Sequence, residues 1–138
     1  MTTTTIQCRC GAIKLELTGE PVAQFYCHCD DCQAVHGAAY LPAVVYMRTS
    51  TRLIAGEPVT WKLKTTARAT CAQCGTRMFA DPAQGDARGI PALLLPQGMF
   101  KPTFHAHCQH TLLPIQDSLP HFKGFPAAFG GSDEQVPW

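Results

Sequence analysis

Seven of the eight cysteines fall into three tight groups whose spacing is that of metal ligands. They are Cys8-Arg-Cys10-Gly11, Cys27-His-Cys29-Asp-Asp-Cys32 and Cys71-Ala-Gln-Cys74-Gly75. In an extended chain residues i and i+2 project from one face, so each Cys-x-Cys can direct two sulfurs at one ion. A Cys-x-x-Cys followed by glycine makes a tight turn, because glycine takes positive φ and lets backbone N–H groups approach the sulfurs. Tetrahedral zinc binds thiolates at ~2.3 Å, within reach of such a turn. A closed four-sulfur site needs two pairs, and Cys8/Cys10 with Cys71/Cys74 supply them. Cys27, Cys29 and Cys32 are left as three ligands from one segment. Three protein ligands with a free fourth position is the arrangement of a catalytic zinc, because substrate or water can fill the vacancy.

Other readings compete for the same residues. A redox Cys-x-x-Cys needs a βαβ setting with the cysteine at a helix N-terminus. Cysteines buried only as small hydrophobes would not cluster so tightly. Both sites could be structural, with His28, His36 or Cys108 closing the second. Cys108 lies in His105-Ala-His107-Cys108-Gln-His110, where strand alternation separates it from His105 and His107. That favours a buried cysteine with surface histidines over a third joint site. His28, between two ligands, points away from their metal in a strand and reads as a hydrogen-bonding or surface group. His36 follows the ligand segment by four residues and is the candidate catalytic acid or base.

The elements that must position these groups are short. Ile13, Leu15 and Leu17 alternate with Lys14 and Glu16, the pattern of a half-buried strand. Residues 38–47 read as an edge or bulged strand interrupted by Pro42. Residues 52–55 and 59–63, joined by Gly56-Glu-Pro58, read as a hairpin. Further strands are expected at 66–71, 76–80, 91–95 and 102–108, a helical turn near Asp30–His36, and an exposed loop over 81–91. Short strands at roughly ten-residue spacing predict an all-β sandwich or barrel.

Composition narrows the function classes. The chain has 138 residues, 46% hydrophobic and 15% charged, with net charge +1. One domain fits that length, here 1–138, with a core over about 6–122 and irregular tails at 1–5 and 124–138. The weak charge disfavours nucleic acid as a partner. No stretch approaches the ~20 apolar residues of a membrane span, and Met1–Ile6 lacks the features of a signal peptide. A cytoplasmic location is expected, where thiols stay reduced.

In the order and intervals of these residues the chain resembles the glutathione-dependent formaldehyde-activating (GFA, or CENP-V/GFA) family, which has an Mss4-like all-β fold. The matching residues are Cys8-x-Cys10-Gly11, Cys27-His-Cys29-x-x-Cys32-Gln33, His36-Gly37-Ala-Ala, Ala55-Gly-Glu-Pro58 and Cys71-x-x-Cys74-Gly75-Thr76. Lys101-Pro102, His105 and Asp117-x-Leu-Pro120 match farther on. The resemblance implies a zinc-stabilised sandwich of short antiparallel strands. It also implies a structural zinc on Cys8, Cys10, Cys71 and Cys74, and a labile, substrate-facing zinc on Cys27, Cys29 and Cys32. The activity it implies is carbon–sulfur lyase chemistry on S-hydroxymethylglutathione, with a small-molecule thiol such as glutathione as partner. One departure is Leu112-Leu-Pro-Ile115, where many members carry an arginine and a tryptophan. A non-enzymatic zinc-stabilised binding module, or a thiol or metal sensor, is the alternative.

Overall fold

Two-residue periodicity builds the first sheet. In β2 (Lys14–Thr18) Leu15 and Leu17 are buried while the residues between them are half covered, as in a strand with one face on a core. β1 (Thr3–Gln7) pairs antiparallel with it, Ile6 opposite Leu15, and β5 (Thr51–Ala55) pairs antiparallel on its other side. The polar N-terminal tail expected over 1–5 is therefore strand from Thr3 onward. Threonine is a good strand former, and Ile6 fixes the register by entering the core.

The structure, a computed structural model, describes residues 1–138 in two units. One comprises Met1–Ala23 and Val44–Phe100, the other Gln24–Ala43 and Lys101–Trp138. Strands predominate, with one α-helix and four 3₁₀ turns. No helix is long and apolar enough to cross a membrane.

The first unit holds the β1-β2-β5 sheet and a second strand series. From Val44 on, β4 (Leu41–Met47) is followed in that series by β9 (Ala87–Pro91), β8 (Arg77–Asp81), β7 (Thr66–Thr70) and β6 (Val59–Leu63). Its core gathers Ile6, Leu15, Leu17, Val44, Tyr46 and Ile90, each large apolar side chain contributing roughly 1.5–3 kcal/mol by burial. A smaller cluster joins Cys8, Ile13, Cys71 and Met78.

Three expectations fail here. The 52–63 hairpin does not form, because β5 pairs with β2 and β6 pairs with β7. Gly56, at φ 79°, turns the chain from one strand set to the other. The loop expected over 81–91 contains β9, and 91–95 is mostly a 3₁₀ turn at Ala92–Leu94. Two charged residues of this stretch satisfy each other. Arg88 donates from Nε and Nη2 to the two Asp81 carboxylate oxygens, both at 2.8 Å, and its guanidinium lies 3.7 Å from the Phe79 ring centre.

In the second unit the strand order is β10-β3-β4. β3 (Ala23–Cys27) and β10 (Phe104–Ala106) run parallel, an exception to the antiparallel expectation. Phe25 and Phe104 stand opposite and stack with ring centres 4.9 Å apart. β4 is not an edge strand. Pro42 stands at its second residue. Helix α1 (Asp30–His36) lies where the sequence placed a helical turn and ends at Gly37 in the left-handed region, φ 60°. The segment from Gly124 has one 3₁₀ turn, Ala127–Phe129, and is packed: Phe125 meets Phe25 edge-on, and Phe122 bridges to Gln135.

Gly56 gives a direct test of the chain reversal. A Cβ there would press into the Ala12 carbonyl and lie 2.7 Å from Ile13 Cδ1, whereas Gly85, at a similar φ of 78°, has nothing within 4 Å. Gly85→Ala should cost about 1–2 kcal/mol from the left-handed backbone alone. Gly56→Ala should cost about 2–5 kcal/mol, with the overpacking added. Urea unfolding measures both, and equal losses would show that the close approach is not a constraint.

Candidate functional site

The first cysteine group is built from two turns of one plan. Cys8 N–H donates to the Ile13 carbonyl (3.1 Å) and Gly11 N–H to the Cys8 carbonyl (3.0 Å), with Gly11 at φ 81°. Cys71 N–H donates to the Thr76 carbonyl (3.0 Å) and Gly75 N–H to the Cys71 carbonyl (2.9 Å), with Gly75 at φ 76°. The Cys8-x-Cys10 pair thus lies in a turn, not in the strand the sequence suggested. The turn still brings the two sulfurs to 3.6 Å, and Cys10 to 3.7 Å from Cys71. All four sulfurs lie within 4.8 Å of one another. Four thiolates on one tetrahedral ion sit ~3.8 Å apart, so the set fits a metal with little movement.

Electrostatics agrees with that fit. The Thr76 hydroxyl, 3.1 Å from Cys74 Sγ, and the Thr76 N–H hold the Cys74 thiol down to about 5. Cys10 is pushed up to about 12: the Ala12 N–H favours its thiolate, but neighbouring sulfurs and burial outweigh that. Burial opposes the Cys8 thiolate, yet the Ile13 N–H (3.3 Å) and nearby thiols bring it below its ordinary value. Clustered thiols compete for negative charge, and a divalent cation removes the competition.

The second group sits at a strand–helix junction. Cys27 ends β3 and is buried; Cys29 caps α1, its sulfur accepting the Cys32 N–H at 3.2 Å; Cys32 lies in the first helical turn. Cys27 and Cys32 sulfurs are 3.6 Å apart, and all three lie within 4.8 Å. The flanking thiols and the Cys32 N–H draw Cys29 down to about 2, while the same neighbours and burial push Cys27 up. This group too could hold a metal ion. Cys29 and Cys32 are partly exposed, so small molecules can reach them. No fourth cysteine joins them: Cys108 is buried elsewhere, its thiol pushed up to about 12 by burial. His107, read from the sequence as a surface histidine, lies close enough for its charge to favour the Cys29 thiolate. His36 forms the last turn of α1, four residues after Cys32.

His28 does not close that group. It is fully buried, and its ring faces other residues. Its Nε2 is 2.9 Å from His105 Nδ1, and its Nδ1 is 3.0 Å from the Thr111 hydroxyl. Burial lowers its pKa to about 4. His105 Nε2 lies 2.7 Å from Asp117 Oδ2. His121 Nε2 lies 3.1 Å from Asp117 Oδ1, within ion-pair range, but the angles make no hydrogen bond and that nitrogen has no hydrogen-bonding partner. Burial opposes the Asp117 carboxylate, but His105, the Leu119 N–H and His121 together bring its pKa below the ordinary value. The surface position expected for His105 is therefore wrong. β10 is buried along its whole length, because the segment through Pro120–Phe122 runs beside it. His110 is exposed, and His107 is partly buried.

Short strands that carry two groups of clustered thiols define a class of protein built around cysteines that could hold metal ions. The chain belongs to the glutathione-dependent formaldehyde-activating enzyme family, whose model matches residues 3–110. A crystal structure of a Rhodobacter sphaeroides protein is similar over 70% of this chain and 90% of its own, with a TM-score of 0.53 and 18% identity, a likeness of fold. No curated protein matches significantly.

The two groups should respond differently to loss of a ligand. Cys8 and Cys71 are part of a buried cluster, and a structural metal can contribute roughly 10–16 kcal/mol against a domain stability of ~5–15 kcal/mol. Cys74→Ser should therefore give insoluble or unfolded protein. Cys29→Ser should stay folded, melt at a lower temperature and lose a different metal equivalent. Solubility, elemental analysis and thermal melting decide this; equal unfolding by both variants would make the second group structural.

Proposed function

We propose that this chain is a zinc-dependent carbon–sulfur lyase-type enzyme acting on a thiol–aldehyde adduct such as S-hydroxymethylglutathione, working in the cytoplasm. In this reading Cys8, Cys10, Cys71 and Cys74 hold a structural zinc, and Cys27, Cys29 and Cys32 hold the substrate-facing one. The observation that carries it is the second group: three mutually close sulfurs, two of them partly exposed, with no fourth cysteine. Zinc bound there would favour the thiolate form of a substrate sulfur.

The chain's own residues supply positioning and a proton path. Cys29 and Cys32 are fixed by the N-terminal cap of α1. His36 is four residues beyond Cys32 on the same helix, so both side chains share one face. In the cleavage direction His36 takes the hydroxyl proton of the adduct, the C–O bond becomes a carbonyl, and the C–S electron pair leaves with sulfur. Aldehyde and thiolate result with the proton left on His36, which returns it to the sulfur as the thiol departs, and no oxidant or reductant is consumed. Leu112 and Leu113 are exposed where many members have an arginine and a tryptophan, so the carboxylates of glutathione would need other partners.

The test is NMR exchange between free formaldehyde and its glutathione adduct. The zinc-loaded protein should accelerate exchange above the buffer rate, Cys29→Ser should abolish the effect, and His36→Asn should lower it roughly 10²-fold or more. A folded, zinc-loaded protein that leaves exchange at the buffer rate would favour the binding or sensing alternative.

A further inference from the structure

The directions of the buried hydrogen bonds beside Asp117 are fixed by a single hydroxyl. Thr111 Oγ1 lies 3.1 Å from the Leu113 carbonyl and 3.0 Å from His28 Nδ1. A carbonyl only accepts and a hydroxyl has one proton, so Thr111 donates to Leu113 and accepts from His28 Nδ1–H. The neutral imidazole carries one N–H; with that of His28 committed to Thr111, its Nε2 accepts from His105 Nδ1–H at 2.9 Å. His105 Nε2 is then left with a lone pair, 2.7 Å from a carboxylate oxygen. Two acceptors at that distance need a cation between them.

A second nitrogen faces the same carboxylate. His121 is buried, its Nε2 has no hydrogen-bonding partner, and it lies 3.1 Å from Asp117 Oδ1. The backbone holds the two rings side by side: His105 N–H donates to the Pro120 carbonyl and Phe122 N–H to the His105 carbonyl, both at 2.9 Å, and the rings stack with centres 4.5 Å apart. Leu119 N–H orients Asp117 through Oδ1 at 3.1 Å. The Trp138 ring covers His121 at 4.6 Å, while the Asp117 side chain keeps 31% exposure and leaves an entrance.

We infer that His105 Nε2, His121 Nε2 and an Asp117 carboxylate oxygen form a metal site for a divalent transition ion of the zinc type, distinct from both cysteine groups. Two imidazoles and one carboxylate, with a remaining position open, are a donor set for such an ion. The ligand atoms all lie within 4.8 Å, and a tetrahedral ion at ~2.0–2.1 Å would move them to ~3.3 Å apart. His28 is the partner that such a site requires: it accepts the Nδ1–H of His105 and so turns Nε2 toward the ion. Asp117 and His121 lie beyond the span that the family model matches.

Cobalt and imidazole nitrogen spectroscopy test this on the full chain. Protein with its cysteine groups filled by zinc is dialysed against Co²⁺. The wild type should take up one Co²⁺ per chain with a spectrum lacking sulfur-to-cobalt charge transfer, and His121→Gln and Asp117→Asn should each weaken that uptake at least 100-fold. No such cobalt in the wild type, or equal uptake by folded variants, overturns the site. A measurement on wild type alone covers variants that do not fold. Added Zn²⁺ should shift the ¹⁵N resonances of His105 Nε2 and His121 Nε2 and leave exposed His110 unmoved. If His105 Nε2 instead keeps a proton at saturating Zn²⁺, the cation beside Asp117 is that proton and the inference is wrong.

Discussion

Sulfur atoms held close together cannot all carry charge without a cation among them, and much of this protein follows from that constraint. Cys8, Cys10, Cys71 and Cys74 converge within 4.8 Å, too close for four thiolates and too ordered for four indifferent thiols. Two glycine-terminated turns of the same hydrogen-bonding plan produce the convergence. Each turn aims a backbone N–H group or a hydroxyl at sulfur, favouring the charged form of Cys8 in one and of Cys74 in the other. Half of the group is part of the buried cluster with Ile13 and Met78, so chemistry and packing are coupled there.

The Cys27–Cys32 segment uses the same chemistry on a different frame. One ligand ends a strand, one caps a helix and one lies in the first helical turn, so three sulfurs converge within six residues. Convergence therefore depends on the strand-to-helix change itself, and the short α1 earns its place by presenting Cys32 and His36 on one face. A longer strand through Cys29 would have kept Cys27 and Cys29 on one side and carried Cys32 away.

Local signals made much of this legible in the sequence. The cysteine groups, α1, the alternation of Leu15 and Leu17, and the turn at Cys71–Gly75 all depend on residues within a few positions of each other. The errors were long-range. Nothing near Gly56 says that β5 will prefer β2 to β6, since the choice rests on a close approach to Ala12 and Ile13. The pairing of Arg88 with Asp81 across the expected 81–91 loop is likewise invisible in one dimension. Burial of His105 was missed because strand alternation assumes one wet face, and β10 has none. His121 and Trp138 carried no spacing signal at all.

His28 shows how one residue can satisfy two neighbourhoods. Its chain neighbours are Cys27 and Cys29, yet its ring belongs to another network, accepting at one nitrogen and donating at the other. Only an imidazole offers an acceptor and a donor on opposite sides of a small rigid ring, so an amide or hydroxyl there could not link His105 to Thr111 in the same way. That explains why a histidine can stand between two clustered cysteines without being their ligand. The segment that carries Cys27 and Cys29 thus also carries, in His28, the ring that meets His105 Nδ1 at 2.9 Å.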